Sequence, residues 1–249
     1  MASIVLIVFG WLSGCNFRLA GKDWGVVFLL SLLRAVTSFS LIIAYQNIAS
    51  GVASTIHFMY PLAVALAMMF FFREKKSLLV ILAVLMSLLG AALLSLGELE
   101  AKSGNTMVGL VAACVSVFSY AGYIVGVRTT RAVQINSTAL TCYVMGLGTV
   151  LYLIGAYCTS GLQLVSDGYT WLIILGLALP ATAISNITLV QAIKYAGPTL
   201  TSILGAMEPL TAVVIGVFVF KELFTVNSAV GIILILLAVS IVVFRRQKS

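Results

Sequence analysis

Long apolar segments of about 20 residues follow one another along the chain, separated by short polar breaks. A helix of about 20 residues crosses a hydrocarbon core about 30 Å thick, so each segment is a candidate membrane helix. The first segment lacks the basic flank and cleavage site of a signal peptide, and we interpret it as a retained helix. The pattern therefore predicts an all-α integral membrane protein with nine spans, at residues 2–17, 24–47, 52–72, 77–96, 106–127, 137–158, 169–192, 198–220 and 226–244.

The composition supports this prediction and narrows the chemistry. Of the 249 residues, 62% are hydrophobic and 8% are charged, whereas a soluble domain has about 25% charged residues. The four cysteines lie in or at the ends of apolar segments without CxxC spacing, which favours packing over disulfide or metal roles. We expect no catalytic residue, metal site or cofactor, because no HExxH, GxSxG or DxD motif is present.

The placement of the positive charge predicts an orientation. Basic residues favour cytoplasmic loops, so alternate loops should differ in Lys and Arg. Lys102 and Lys221 belong to one set of loops, and Arg34 lies inside a span. The "REKKS" loop and the C terminus are therefore expected inside the cell, and "GELEAKSGN" and the N terminus outside. Because the positive charge follows the membrane, nucleic acid is not an expected partner. The other set of loops and ends holds Arg18, Lys22, Arg73, Lys75, Lys76, Arg128, Arg131, Lys194, Arg245, Arg246 and Lys248.

The chain contains an internal repeat. Residues 41–76 align without a gap to residues 189–224 at an offset of 148. By the loop charges the first copy ends inside and the second outside, so the copies are inverted. Inverted repeats with interrupted helices at matching places indicate the midplane site of a secondary transporter. The identical pairs include Ser54/Ser202, Met59/Met207, Pro61/Pro209, Phe70/Phe218 and Glu74/Glu222.

Two segments carry a family resemblance. "AYQNIASGVASTIHFMYPLAVALAMMFFFRE" and "AIKYAGPTLTSILGAMEPLTAVVIGVFVFKE" each resemble the signature half of EamA-like proteins of the drug/metabolite transporter superfamily. The resemblance implies a ten-helix bundle of two inverted five-helix repeats that moves small metabolites by alternating access. Here the first repeat would cover 1–100 and the second 104–249. The offset of 148 places the mate of the span 106–127 before Met1, so the family's first helix is expected to be missing.

The repeated prolines and the ionisable residues within the spans are the candidate site. Pro61 and Pro209 are predicted to be hinges beside a cavity, with a packing kink as the alternative. An ionisable side chain at bilayer depth costs roughly 2.5–3.5 kcal/mol, so it usually faces a pathway or a partner. Glu208 is predicted to bind substrate or protons, with Arg34 as its partner, although a static ion pair stays open. His57 is a titratable candidate or a hydrogen-bonded packing residue.

Polar side chains at helical spacing are predicted to line a narrow cleft. Thr201, Gly205 and Glu208 would share one helical face, and Ser54, His57 and Pro61 another. The further lining candidates are Tyr60, which is the repeat mate of Glu208, and Ser202, Asn186, Tyr120 and Tyr123.

These patterns favour a secondary transporter of the inner (plasma) membrane. We expect it to move an amino-acid-like or related small metabolite, with export favoured over import and proton coupling as one possibility. The expected partners are this substrate and membrane lipid, and a homodimer stays open. The alternatives are a flippase for a lipid-linked head group and an integral-membrane enzyme, which would turn over substrate without a closed compartment.

Overall fold

The computed structural model describes residues 17–74, 78–95, 104–159, 167–176, 182–205, 207–219 and 226–247. This part of the chain is helical and contains no β-strand. Short 3₁₀ turns at Gly21–Asp23 and Arg131–Gln134 precede α1 and α6. The helices are α1 (Trp24–Asn47), α2 (Ser50–His57), α3 (Tyr60–Phe71), α4 (Leu78–Ser95), α5 (Thr106–Thr129), α6 (Ser137–Thr159), α7 (Gly168–Gly176), α8 (Ser185–Ala196), α9 (Pro198–Leu204), α10 (Met207–Val219) and α11 (Val226–Gln247).

Several helices are suited to a membrane. Within the described ranges, four helical segments are long and apolar enough to cross one: Gly21–Asn47, Ser50–Phe71, Thr106–Thr129 and Ser137–Gly155. Their outward side chains are large and apolar, as with Phe118, which is 72% exposed, and such a surface is suited to lipid rather than water. The prediction of an all-α membrane bundle is confirmed. The first predicted span lies outside the described residues apart from Phe17.

Two of the predicted spans are divided in the structure. The span 52–72 becomes α2 and α3, separated by Phe58 and Met59, and the span 198–220 becomes α9 and α10, separated at Gly205. Three boundaries repeat at the offset found in the sequence, because α2 and α9 begin at 50 and 198, α3 and α10 end at 71 and 219, and α4 and α11 begin at 78 and 226. The two copies therefore share their pattern of helix breaks.

The chain folds into two compact units. The first unit comprises residues 1–35 and 126–197, and the second comprises 36–125 and 198–249, so α1 and α5 each contribute to both. Both broken helices belong to the second unit.

Each unit has its own packed core. In the first unit, Cys142 and Ala183 form a buried cluster against Phe17, Met145 and Ile187. This position of Cys142 agrees with the packing role expected from the sequence.

In the second unit, the repeat mates α4 and α11 pack closely against each other. A Cβ on Gly90 would lie 2.7 Å from both Gly231 O and Ile235 Cγ1, so Gly90 permits a close approach of the two helices.

Candidate functional site

The first helix break lies ahead of its proline. Phe58 N donates to Ser54 O at 2.8 Å and Met59 N donates to Ile56 O at 3.0 Å, which ends α2 in a tightened turn. Pro61 is the second residue of α3, where its missing N–H costs no helical hydrogen bond. The predicted hinge at Pro61 stays a prediction, and the helix break lies just before it in the chain, at Phe58 and Met59. The chain breaks first, and the proline begins the next helix.

Four ring-bearing side chains of the second unit form what we call the aromatic cluster: His57, Tyr60, Tyr120 and Tyr123. The Tyr60 and Tyr120 ring centroids lie 4.7 Å apart in a T-shaped arrangement, and the His57 ring lies 5.4 Å from that of Tyr120. Tyr123 stacks on Tyr120 with an interplanar angle of 9°. The sequence suggested each residue separately, and the structure brings them together at the first break.

Ser116 fixes the orientation of the His57 ring. The Ser116 hydroxyl donates its only proton to Ala113 O at 2.6 Å, so it accepts from His57 Nδ1, 2.9 Å away. Nδ1 therefore carries hydrogen, which assigns the tautomer of the neutral ring and leaves Nε2 as its basic nitrogen. Sequence reasoning missed Ser116. Its spacing to Tyr120 and Tyr123, four and seven residues along α5, was the available signal, because these positions share a helical face.

Tyr60 of the first copy reaches the break of the second copy. A Cβ on Gly205 would overlap Tyr60 Oη and lie 3.2 Å from Tyr60 Cζ, so the tyrosine hydroxyl occupies the space that a side chain would fill. Tyr60 is only 4% exposed. Glycine at 205 therefore permits the contact between α3 and the second break.

A buried hydroxyl, that of Thr201, lies beside the second break. Thr201 is 6% exposed, and its Oγ1 is a buried side-chain oxygen that finds no hydrogen-bond partner among the described residues. The main-chain oxygen of Thr201 accepts from Gly205 N at 3.1 Å, one turn before the break. Buried hydroxyls normally find partners, so Thr201 Oγ1 is suited to a bound polar molecule or water.

The other hydroxyl candidates have local partners. Ser202 Oγ donates to Thr199 O at 2.9 Å within α9. Ser54 Oγ lies 3.1 Å from Tyr45 Oη, which links α2 to the end of α1. The sequence predicted no hydrogen-bond partner for either serine.

A polar contact joins the end of the first copy to the start of the second broken helix. Thr199 Oγ1 donates to Glu74 Oε2 at 2.7 Å. The repeat mates of these residues are Gly51 and Glu222, so glycine replaces the donor in the mirrored position. Glu222 lies outside the described residues.

Glu208 occupies the first turn of α10. Its side chain is exposed, whereas the adjacent Pro209 is buried. Because the chain breaks at Gly205, Thr201 and Glu208 lie on separate helices and do not share the continuous face that the sequence predicted.

Arg34 belongs to the first unit and is joined to another candidate. Its Nη2 donates to Asn186 Oδ1 at 3.4 Å, and Asn186 Nδ2 donates to Thr182 O at 2.7 Å. Arg34 and Asn186 were predicted separately. The expected pairing of Arg34 with Glu208, a residue of the second unit, stays a prediction.

Lys194 lies past the predicted span 169–192 and is 8% exposed. Its Nζ donates to Ile135 O, and Arg128 Nη1 donates to Lys194 O at 2.6 Å. Burial lowers the pKa of the Lys194 ammonium to about 8, since desolvation disfavours the charged form.

The described residues contain no group of three or more His, Cys, Asp and Glu side chains that could hold a metal ion. The polar groups present are suited to binding and releasing a solute through hydrogen bonds and ring contacts.

Known proteins resemble this chain over nearly its whole length. The model of the EamA-like transporter family matches residues 1–96 and 107–244. A protein of Archaeoglobus fulgidus, described as an uncharacterized transporter, is 28% identical over 238 residues, which are 94% of this chain and 83% of that protein. A solved crystal structure matches with a TM-score of 0.83 and 18% identity, over 100% of this chain and 86% of that one.

At 18% identity the crystal structure shows the fold alone, whereas the family model spans both repeats found in the sequence. The resemblance to EamA-like proteins of the drug/metabolite transporter superfamily is therefore confirmed. The chain belongs to the EamA-like transporter family and is a multi-pass membrane transporter.

Proposed function

We propose that this transporter exports a small amino-acid-like or related metabolite across the plasma membrane by alternating access. The observation that carries the proposal is the pair of matched helix breaks, at Phe58–Met59 and at Gly205, within one unit. Broken helices leave backbone donors and acceptors at membrane depth, which are tolerated where they line a cavity or are packed in protein. Breaks repeated in inverted copies are typical of a transporter's binding site.

The groups around the breaks suit an amphipathic substrate. The ring faces of Tyr60 and Tyr120 offer contact to an apolar body or a cation. Thr201 Oγ1, which is buried and without a partner among the described residues, offers a hydrogen bond. The carboxylate of Glu208 attracts an ammonium group. An amino-acid-like compound has an ammonium group and an apolar or polar body, so it fits this combination.

Proton coupling is assigned to Glu208. It is a carboxyl group in the first turn of a broken helix, and a carboxyl group can take up a proton on one side of the membrane and release it on the other. His57 is a second titratable group at the first break, held in one tautomer by Ser116.

The proposed orientation places the C terminus in the cytoplasm. Loop contacts support the alternation that the loop charges require. In the first unit, Arg131 pairs with Asp23 at 3.1 Å, and both loops belong to the basic set. In the second unit, Asn105 N donates to Asn47 Oδ1 at 3.0 Å, at the end predicted to be external.

Labelling in intact cells tests this orientation. A cysteine replacing Lys102 should react with an impermeant thiol reagent in an otherwise cysteine-free chain, and one replacing Lys75 should not. The opposite result would reverse the orientation without affecting the proposal of transport.

A metabolite comparison tests the transport proposal. Cells that produce the protein should show one or more amino-acid-like compounds depleted inside and enriched outside, relative to cells producing Glu208→Gln at the same level. Flux of the same compound into or out of proteoliposomes should then saturate with concentration. Chemical conversion of the compound by detergent-solubilised protein would instead identify an enzyme, and lipid-dependent transfer of a head group would identify a flippase.

A further inference from the structure

The two helix breaks have equivalent positions occupied by different residues. At the offset of 148, His57 corresponds to Gly205 and Tyr60 corresponds to Glu208. The helices that carry them, α2 with α3 and α9 with α10, have matching outer boundaries and belong to one unit. A contact between a residue of the first copy and a residue of the second therefore has a mirror contact, in which each residue is replaced by its repeat mate.

One of these mirror contacts is formed in the structure. Tyr60 Oη occupies the space where Gly205 would carry a Cβ, and Tyr60 is buried. Under the repeat, the mirror contact joins Glu208 to His57. Glu208, however, is exposed, so the two copies place equivalent residues in different environments. Such an asymmetry is expected when two inverted copies of one fold adopt different conformations in one state.

In a transporter with inverted repeats, the opposite-facing state exchanges the conformations of the two copies. We propose that in this opposite-facing state the Glu208 carboxylate packs against His57, in the way that the Tyr60 hydroxyl packs against Gly205 here. The inference rests on the proposed alternating access and adds a contact that defines the second state.

The chemistry of His57 favours the proposed contact. Ser116 Oγ lies 2.9 Å from His57 Nδ1, so the proposed contact is made at Nε2, which is the other ring nitrogen. A carboxylate beside an imidazolium forms a charge-assisted hydrogen bond, which is stronger than a bond between neutral groups. The existing contact joins a neutral phenol to a bare glycine. The two states would therefore differ in the groups that touch: a carboxylate and an imidazolium in one state, a phenol and a glycine in the other. The backbone conformations of the two copies are nevertheless exchanged symmetrically.

Cysteine crosslinking tests the exchange in the full-length protein in membranes. Two pairs are introduced into a chain whose four native cysteines are replaced by Ala. The test pair is His57→Cys with Glu208→Cys, and the reference pair is Tyr60→Cys with Gly205→Cys. A short bifunctional thiol reagent should join both pairs in a population that samples both states, because each pair is expected to be close in one of them.

In a chain that carries the test pair, Gly205→Ala is added to shift the equilibrium between the two states. The new methyl group occupies the place of Tyr60 Oη and so destabilises the state described here. Such overpacking should change the ratio of the two states by roughly fivefold or more, and the crosslinked fraction of the test pair should rise accordingly. Gly146→Ala is the matched control, because nothing lies within 4 Å of the added Cβ on that helical glycine. It should leave the crosslinked fraction unchanged.

The inference is overturned if the reference pair crosslinks and the test pair never does, or if Gly205→Ala leaves the test pair unchanged. If Gly205→Ala does not give monodisperse protein, Tyr60→Phe replaces it, since that change removes the hydroxyl and keeps the ring. Transport assays separate the two proposals. Transport is therefore measured in the wild-type chain, which keeps His57 and Glu208. Transport by the wild type together with a test pair that never crosslinks contradicts this inference alone, whereas crosslinking of both pairs without transport by the wild type contradicts the proposed function alone.

Discussion

The two broken helices share their outer boundaries and differ in the chemistry of their breaks. The first break carries the bulky His57 and Tyr60, whereas the second carries Gly205 and Glu208 at the equivalent positions. The two copies have therefore kept the backbone pattern but not the side chains at these positions. A symmetrical scaffold with unlike residues provides one asymmetrical site, in which a large side chain of one copy fits a glycine of the other.

The surroundings of the two breaks differ in the same way. At the first break, α5 supplies Ser116, Tyr120 and Tyr123, which form hydrogen-bonded and ring contacts with one another or with His57. At the second break, Thr201 Oγ1 has no partner among the described residues, while its repeat mate Ala53 is fully buried and apolar. Among the described residues, a buried hydroxyl without a partner therefore distinguishes the second break from the first.

The largest expected effect comes from removing the carboxylate of the second break. Glu208→Gln keeps the size and polarity of the side chain and removes its ability to exchange a proton. We expect it to abolish substrate flux or to uncouple the flux from protons. In proteoliposomes, wild-type flux should respond to an imposed pH gradient and the variant's flux should not.

Asp167→Asn is the control for this change, because it neutralises an exposed carboxylate that accepts hydrogen bonds from Thr170. Its flux should keep the wild-type response to the gradient. A Glu208→Gln chain with the same flux and the same response would make Glu208 structural and end its assignment to the site.

A smaller effect is expected from Ser116→Ala at the first break. The variant removes the acceptor that holds His57 Nδ1, which should lower flux severalfold and cost about 1–2 kcal/mol in the free energy of unfolding. Ser87→Ala is the matched control. Ser87 is also buried and also donates to a carbonyl three residues earlier in its own helix, at 2.8 Å.

If the orientation of His57 matters for transport, Ser116→Ala should reduce flux more than Ser87→Ala at equal stability. Equal flux in the two variants would limit Ser116 to a packing role. The comparison therefore separates orientation of the ring from loss of a buried hydroxyl.

The sequence predicted the fold well because the length of the apolar segments follows directly from the thickness of the bilayer. It also predicted a hinge or kink at the repeated Pro61 and Pro209, close to both helix breaks. It did not predict that Phe58 and Met59 would separate the helices, because proline is tolerated in a first turn and local residues decide where the preceding helix ends.

The contacts of the site required the structure. Candidates such as Arg34, Asn186 and Tyr120 were recognised from their polarity within apolar spans, but which of them meet depends on helix packing. Arg34 lies beside Asn186 in one unit, and Tyr120 lies in the aromatic cluster of the other. Ser116 shares a helical face with Tyr120 and Tyr123, but its contact with His57 of another helix depends on packing.

A still smaller effect is expected from Thr199→Val, which tests the polar contact between Glu74 and the start of the second broken helix. The change keeps the shape of the side chain and removes the donor to Glu74. A hydrogen bond to a carboxylate contributes about 1.5–3 kcal/mol when well sheltered, so we expect a loss near or below the lower value at this partly exposed pair. Thermal unfolding in detergent measures it.

Thr211→Val is the control for Thr199→Val, because the Thr211 hydroxyl donates to Met207 O within its own helix and is exposed. It should change the unfolding temperature less than Thr199→Val does. Equal shifts would mean that the contact with Glu74 adds nothing to the stability of the fold.

The smallest expected effect concerns the helix that precedes each broken helix along the chain, because the second copy has the buried Lys194 where the first copy has the exposed Gln46. Burial lowers the pKa of Lys194 to about 8 in the folded protein, from 10.5. Between these pH values the unfolded chain binds more protons at this position than the folded chain, so the free energy of unfolding should rise with pH. Below about pH 8 both states are protonated, and this contribution to the slope disappears.

Replacing the lysine with the residue of its repeat mate, as Lys194→Gln, should remove that part of the pH dependence. Lys22→Gln is the control, because Lys22 is exposed and its removal should leave the slope unchanged. Unfolding temperatures measured in detergent from pH 7 to pH 10.5 compare the three proteins. If the wild type and Lys194→Gln gain stability equally over this range, Lys194 stays charged in the folded protein. Its burial then has no effect that distinguishes the second copy from the first.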